Sequence, residues 1–167
     1  MMSLPVQTQS SEKSPTIPRL FTWPLGLVPS RLQTGALTQI LNRLFAPELA
    51  DGELDFLDEK VMRIRVEDVG LEYRLTLSNA KLRAARREQA EDLSIEGNTY
   101  EFLLLATRRE DPDTLFFNRR LRLGGSTELG LYVKNFLDGL ELEPRLGPLL
   151  KVMEGATSLL GRMGRSN

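Results

Sequence analysis

The 167-residue chain contains no cysteine and no histidine. Without cysteine there is no disulfide, no thiolate nucleophile, no iron–sulfur ligation and no Cys-type zinc site. Without histidine the commonest general base and the commonest transition-metal ligand are gone. No stretch reaches the ~18 apolar residues of a membrane-spanning helix. The start, MMSLPVQTQSSEKSPT, lacks the continuous apolar core of a secretion signal. A cytoplasmic protein, at most peripheral to the inner membrane, is therefore expected. The motifs G-x-S-x-G, G-x-G-x-x-G and the Walker-type phosphate loop are missing as well. These absences point away from an enzyme and leave no metal or cofactor to expect. The remaining catalytic option is a carboxylate pair among Glu101, Asp111 and Asp113.

What is present fits one domain with a real core: 41% apolar and 27% charged residues. Twenty-two basic residues face 23 acidic ones, a net charge of −1, so no nucleic-acid partner is expected.

Residues 1–19, rich in Ser, Thr, Gln and Pro, read as a disordered tail. In residues 20–29, Leu20, Phe21, Trp23, Leu25, Leu27 and Val28 crowd between Pro18, Pro24, Gly26 and Pro29. That apolar strip either docks on the fold or touches a membrane. A helix is expected from Ser30, with Ser30 and Gln33 as a capping box, Leu37, Ile40, Leu41, Leu44 and Phe45 on one face, and Pro47 as its stop. Alternation over 61–66 and 71–78 around Asp68-Val69-Gly70 predicts a hairpin. A third strand near 81–85 follows the Ser78-Asn79 turn, and DLSIEGN gives another short strand. Asn98 should cap a helix running to Pro112, and a strand should cover 114–123 with Leu115, Phe117, Leu121 and Leu123 on one face. A helix over 127–140 carries Leu129, Val133, Phe136, Leu137 and Leu140 as its stripe. A last amphipathic helix, within 146–167, starts at Pro148 with Leu149, Val152, Met153, Ala156, Leu160 and Met163 inward. The order is that of an α+β fold: a mostly antiparallel sheet with helices on one face and an apolar groove or tunnel between the layers.

Two features have paired readings. The Gly-Gly-Ser-Thr turn is either an anion site or simply a cap, Ser126, preceded by unusual backbone angles at Gly124 and Gly125. The arginines 83, 86, 87, 108, 109, 119, 120 and 122 are either solvated faces or, if they converge, a rim for anionic lipid heads.

The stretch EDLSIEGNTYEFLLLATRREDPDTLFFNRRLRLGGSTELG resembles the sterol carrier protein type two family. Asp92, Ser94, Ile95 and Gly97 match its strand-turn, and Phe102, Leu103 and Leu105 match its helix. Asp111-Pro112 matches its loop, and Phe116, Phe117, Leu121, Leu123 and Gly125 its following strand. Arg119 stands where that family often has glycine. The string DTLFFNRRLRLGGSTELGLYVKNFLDGLE is similar to the UbiT-like accessory factors of ubiquinone biosynthesis, with Ser126 in place of an expected aspartate. The resemblance covers about residues 30–145. It implies a five-stranded sheet, a hydrophobic tunnel for lipids or isoprenoids, and no catalytic residues. The residues expected to line the tunnel are Trp23, Leu37, Leu41, Phe102, Leu105, Phe117, Leu121, Leu129, Val133, Phe136, Leu137, Leu149 and Met153. Arg119, Arg120, Glu128, Lys134 and Asn135 are candidates for partner or head-group contact. The implied ligands are prenylated quinone precursors or phospholipid, and the implied partners are UbiU/UbiV-like hydroxylating proteins of the oxygen-independent route. A homodimer stays open. The alternative is a protein–protein adaptor or a general phospholipid or fatty-acyl carrier outside quinone synthesis.

Overall fold

In a computed structural model of the chain, the described residues are 30–141 and, beyond them, single positions between 145 and 162. The expectations for residues 1–29, including Trp23, and for Leu149 and Met153 lie outside the described residues.

Helix α1, Ser30–Leu44, is followed by the short α2, Ala46–Ala50, and one 3-10 turn, Asp55–Leu57. Strands β1 (Met62–Val66), β2 (Leu71–Ser78), β3 (Lys81–Ala84) and β4 (Leu93–Gly97) come next. Then follow α3 (Thr99–Ala106), α4 (Pro112–Phe117), β5 (Arg122–Gly125) and α5 (Thr127–Gly139).

The five strands form one sheet in the order β3-β2-β1-β4-β5. Three pairings are antiparallel, but β1 and β4 run parallel, so the sheet is mixed. Crossing from β3 to the far side of β1 brings β4 in alongside β1 in the same direction. The register sorts side chains by period two. One face carries the apolar rows Ala84–Leu75–Met62–Leu93–Gly125, Tyr73–Ile64–Ile95–Leu123 and Leu71–Val66–Gly97. The other carries Arg74–Arg63–Ser94–Gly124 and Glu72–Arg65–Glu96–Arg122.

On the polar face Arg63 and Arg74 are directly opposed, which alone is unfavourable. Glutamates resolve this. Arg63 reaches Glu91 and Glu96 at 2.6 Å and Glu72 at 3.7 Å, while Arg74 reaches Glu72 at 3.2 Å and Glu91 at 3.5 Å. Burial works against the Arg63 charge, yet the three glutamates outweigh it and its pKa is raised.

On the apolar face the core centres on Leu57, Leu75, Leu77, Leu82 and Leu93, each at most 4% exposed. Helix α1 covers β2 and β3, and its Asn42 amide locks onto the sheet edge. The side chain donates to the Leu82 carbonyl and accepts from the Leu82 N–H, both at 2.8 Å. This blunts an edge strand that would otherwise offer free backbone groups. It also sets the helix rotation: Thr34, Thr38, Leu41 and Phe45 face in, and Ile40 is 55% exposed, contrary to its expected place in the stripe. Positions 40 and 42 lie about 200° apart around a helix, so seating one exposes the other.

Two further expectations are corrected. Helix α3 ends at Ala106 instead of running to Pro112. The Thr107 hydroxyl donates to the Leu103 carbonyl, and Arg108 turns left-handed at φ 53°. The Arg108 N–H then bonds Leu105 O and the Arg109 N–H bonds Leu104 O, a Schellman ending. Residues 114–123 are not one strand. Asp111 caps a helix by accepting from the Thr114 N–H, Pro112 occupies its first turn, and only Arg122–Gly125 is extended. Asn98 sits at the start of α3, but the cap comes from Asp68, which accepts from both the Thr99 N–H and its hydroxyl.

Candidate lipid-binding site

Helix α5 is laid on the sheet by the Gly-Gly-Ser turn. The Ser126 hydroxyl accepts from the Leu129 N–H at 3.3 Å, making it the cap. Gly125 has φ 86°, and a Cβ there would run into the Asp92 carbonyl. At Gly124 a Cβ would sit 2.5 Å from Ser94 Oγ on the neighbouring strand, so a larger residue there makes that serine re-orient. Asp92 in turn accepts from the Val61 N–H at 2.8 Å. These motif residues are therefore structural joints.

So placed, α5 drives Leu129 and Val133 against Leu93 and Ile95, with Phe56, Met62, Phe102, Phe116 and Leu137 at the margins. At one end Phe136 meets Phe45 edge-on, ring centroids 5.4 Å apart, and joins Leu41 in the α1 cluster. At the other, Leu104, Leu115 and Leu121 form a third cluster with Phe102 and Leu105. Of the expected lining residues, Leu41, Phe102, Leu105, Leu121, Leu129, Val133, Phe136 and Leu137 thus belong to one continuous apolar layer. Leu37 is half-buried on α1. Phe117 is the exception: it is 89% exposed, because helix α4 turns it away from the core. Leu121 packs over Gly97, where a Cβ would lie 2.6 Å from its Cδ2.

The apolar sheet face is not evenly covered. In its Leu75–Met62–Leu93 row, Leu75 and Leu93 are at most 1% exposed, and the half-buried Met62 between them packs into the core clusters. Tyr73, Ile64, Val66 and Leu71, on the same face, are only half-buried and belong to none of the described core clusters. Leu123, ending the Tyr73 row on β5, is 36% exposed. None of Tyr73, Ile64, Val66 and Leu71 is among the expected lining residues, although the alternation of β1 and β2 places them on the apolar face. Burial pushes the Tyr73 phenol up from its usual pKa. A separate cavity of about 380 Å³ lies at the β3 edge, lined by Thr34, Glu72, Arg74 and residues 84–88.

The polar candidates are spread out. Arg120 reaches Glu110 at 3.4 Å and the buried Glu101 at 3.7 Å, and lies 6.0 Å over the Tyr100 ring. Lys134 pairs with Asp113 at 2.6 Å. Arg119, Glu128 and Asn135 are exposed. Asp111 is engaged in its cap and Asp113 with Lys134. The buried Glu101 meets Arg120 only at 3.7 Å, and its carboxylate oxygens have no hydrogen-bond partner among the described residues. The three acids do not converge on one another in any described contact. Among the arginines, Arg122 pairs with Glu67 at 2.5 Å, and Arg108 donates to the Asp138 and Leu140 carbonyls at the end of α5. Among the described residues no helix is long and apolar enough to cross a membrane, and no group of three acids is placed to hold a metal.

Comparison with known proteins gives the chain its relatives. The model of the SCP-2 sterol transfer family matches residues 37–138. Ubiquinone biosynthesis accessory factor UbiT of Escherichia coli strain K12 is 44% identical over 126 residues, 75% of this chain and 72% of that protein. UbiT of Escherichia coli O157:H7 matches with the same figures. Among solved structures, the UbiJ-SCP2 ubiquinone synthesis protein aligns with a TM-score of 0.52 at 17% identity, covering 64% of this chain and 94% of that one. That last likeness is one of fold. The chain belongs to the SCP-2 sterol transfer family, as a UbiT-like member.

Proposed function

We propose that this protein is a non-catalytic accessory factor of ubiquinone biosynthesis that holds a prenylated aromatic intermediate. The observation that carries the reading is the 44% identity to UbiT across the lipid-binding fold. The partly uncovered apolar strip on β1 and β2 supports it, because a prenyl tail laid there gains roughly 0.8 kcal/mol per buried methylene. The tail runs over Ile64 and Val66 beside the layer of Leu129, Val133, Leu137, Phe102 and Leu105, with Leu41 and Phe136 closing the far end. Trp23, Leu37, Leu121, Leu149 and Met153 complete the proposed lining.

The finer reading is that the bound intermediate is presented to UbiU/UbiV-like hydroxylating partners of an oxygen-independent route, at a membrane surface. Arg119, Glu128 and Asn135 are the proposed contact residues, with Arg120 and Lys134 shaping the same side. The direct test is detergent-free purification, organic extraction and mass spectrometry. Co-purifying prenylated phenols or quinones are expected; an extract without lipid, from protein shown to be folded, contradicts the proposal.

The adaptor reading draws on one observation, the 55% exposed Leu131 on the outer side of α5. If partner binding is the primary role, Leu131→Arg abolishes capture of the hydroxylating proteins and leaves lipid content unchanged. If lipid carriage is primary, loss of lipid by itself impairs function.

A further inference from the structure

The uncovered strip of the sheet is hydrocarbon except at one place. Cross-strand pairing sets Tyr73 beside Ile64; beyond Ile64 the row passes under α5, where Ile95 is buried against Leu129 and Val133. Leu71 and Val66 form the next row. A phenol on such a face usually finds a hydrogen-bond partner, since its oxygen is otherwise poorly solvated. No described residue bonds the Tyr73 hydroxyl, and that oxygen is not sealed from outside. A polar group that is reachable, unpartnered and framed by apolar side chains suits a ligand with a long tail and one oxygen-bearing end.

We propose that Tyr73 is the head-group contact of the lipid site: its phenol donates a hydrogen bond to a ring oxygen of a prenylated quinone or phenol, while the tail follows Ile64, Val66 and Leu71. Burial favours the neutral phenol, which is the donor form. Tail burial supplies affinity without regard to the head. Tyr73 supplies the discrimination. The proposal rests on the lipid-binding reading above.

The test uses the full chain and two probes, a short-tailed prenyl benzoquinone and the prenyl hydrocarbon of the same tail. For Tyr73→Phe, which keeps the ring and the packing, quinone affinity should fall about two- to tenfold, the range of one neutral hydrogen bond. Hydrocarbon affinity should not change. The infrared carbonyl stretch of bound quinone should be lowered in the wild type and return toward its apolar-solvent position in the variant. Equal weakening of both probes, or an unshifted carbonyl in the wild type, overturns the head-group role while leaving lipid binding intact. If the wild type binds neither probe, the lipid-binding reading itself falls, and the assignment of Tyr73 with it.

Discussion

Arg119 carries a backbone assignment that its side chain does not suit. It sits at φ 56°, one position past the cap of α4, where its N–H bonds Phe116 O and the Arg120 N–H bonds Leu115 O. This is the left-handed position of a Schellman ending, which favours glycine. The sequence already shows Arg119 in place of the family's usual glycine, and the backbone supplies the physical reason. Arg119→Gly should raise unfolding stability by about 0.5–1 kcal/mol, read from denaturant midpoints at constant slope. No gain would mean that the guanidinium makes compensating contacts. Arg108 has the same backbone at φ 53°, but its guanidinium caps the carbonyl end of α5, so Arg108→Gly should give no comparable gain. Gly125 is the converse case, with φ 86° and Asp92 too close for any Cβ. Gly125→Ala should destabilise by about 2 kcal/mol or more, because strain and a backbone clash act together.

At the scale of elements, the segment 112–125 divides what was legible from what was not. The alternation of Leu115, Phe117, Leu121 and Leu123 imitates a strand. Asp111-Pro112 is a helix start of equal standing, and the side-chain cap decides the competition. Phe117 is the residue on which the two readings differ most. A core position would cost about 3–5 kcal/mol on loss of the ring. With 89% exposure, Phe117→Ser should change stability by less than about 0.5 kcal/mol. The hairpin of β1 and β2 was readable from period two, β3 and β4 from the turns beside them, and the Ser126 cap of α5 from the Gly-Gly-Ser-Thr turn. The Asn42 clamp was not, because nothing local marks an amide for a strand edge 40 residues away. Nor was the contact of Arg145 with Glu48 at 2.6 Å and with the Leu44 carbonyl at 3.0 Å, which joins the chain beyond α5 to the end of α1. That hydrogen bond holds the Glu48 carboxyl below the usual glutamate range, against the opposing effect of burial. A lowered folded pKa means the contribution is complete above the unfolded value and disappears as pH falls through the folded one. Acid titration of Tm should therefore be less steep in Glu48→Gln than in the wild type. Parallel curves would remove this pair from the acid response.

For the whole molecule, period and order sufficed for an α+β fold, and a long motif sufficed for the family. The parallel β1–β4 pairing was beyond them, since strand order across a sheet depends on long-range register. So was the uneven cover of the apolar face. Half-burial of Ile64, Val66, Leu71 and Tyr73 against full burial of Leu75 is a property of which helix lies where, not of any local pattern. The central claim is that this uncovered strip is the resting place of a prenyl chain. Methyl-resolved NMR during titration with a short-tailed prenyl benzoquinone addresses it residue by residue. Ligand contacts are predicted to the methyls of Ile64, Val66 and Leu71, with those of Leu57 and Leu82 unaffected. Contacts confined to other surfaces such as Leu32 and Phe117, or none at saturating ligand, would contradict it.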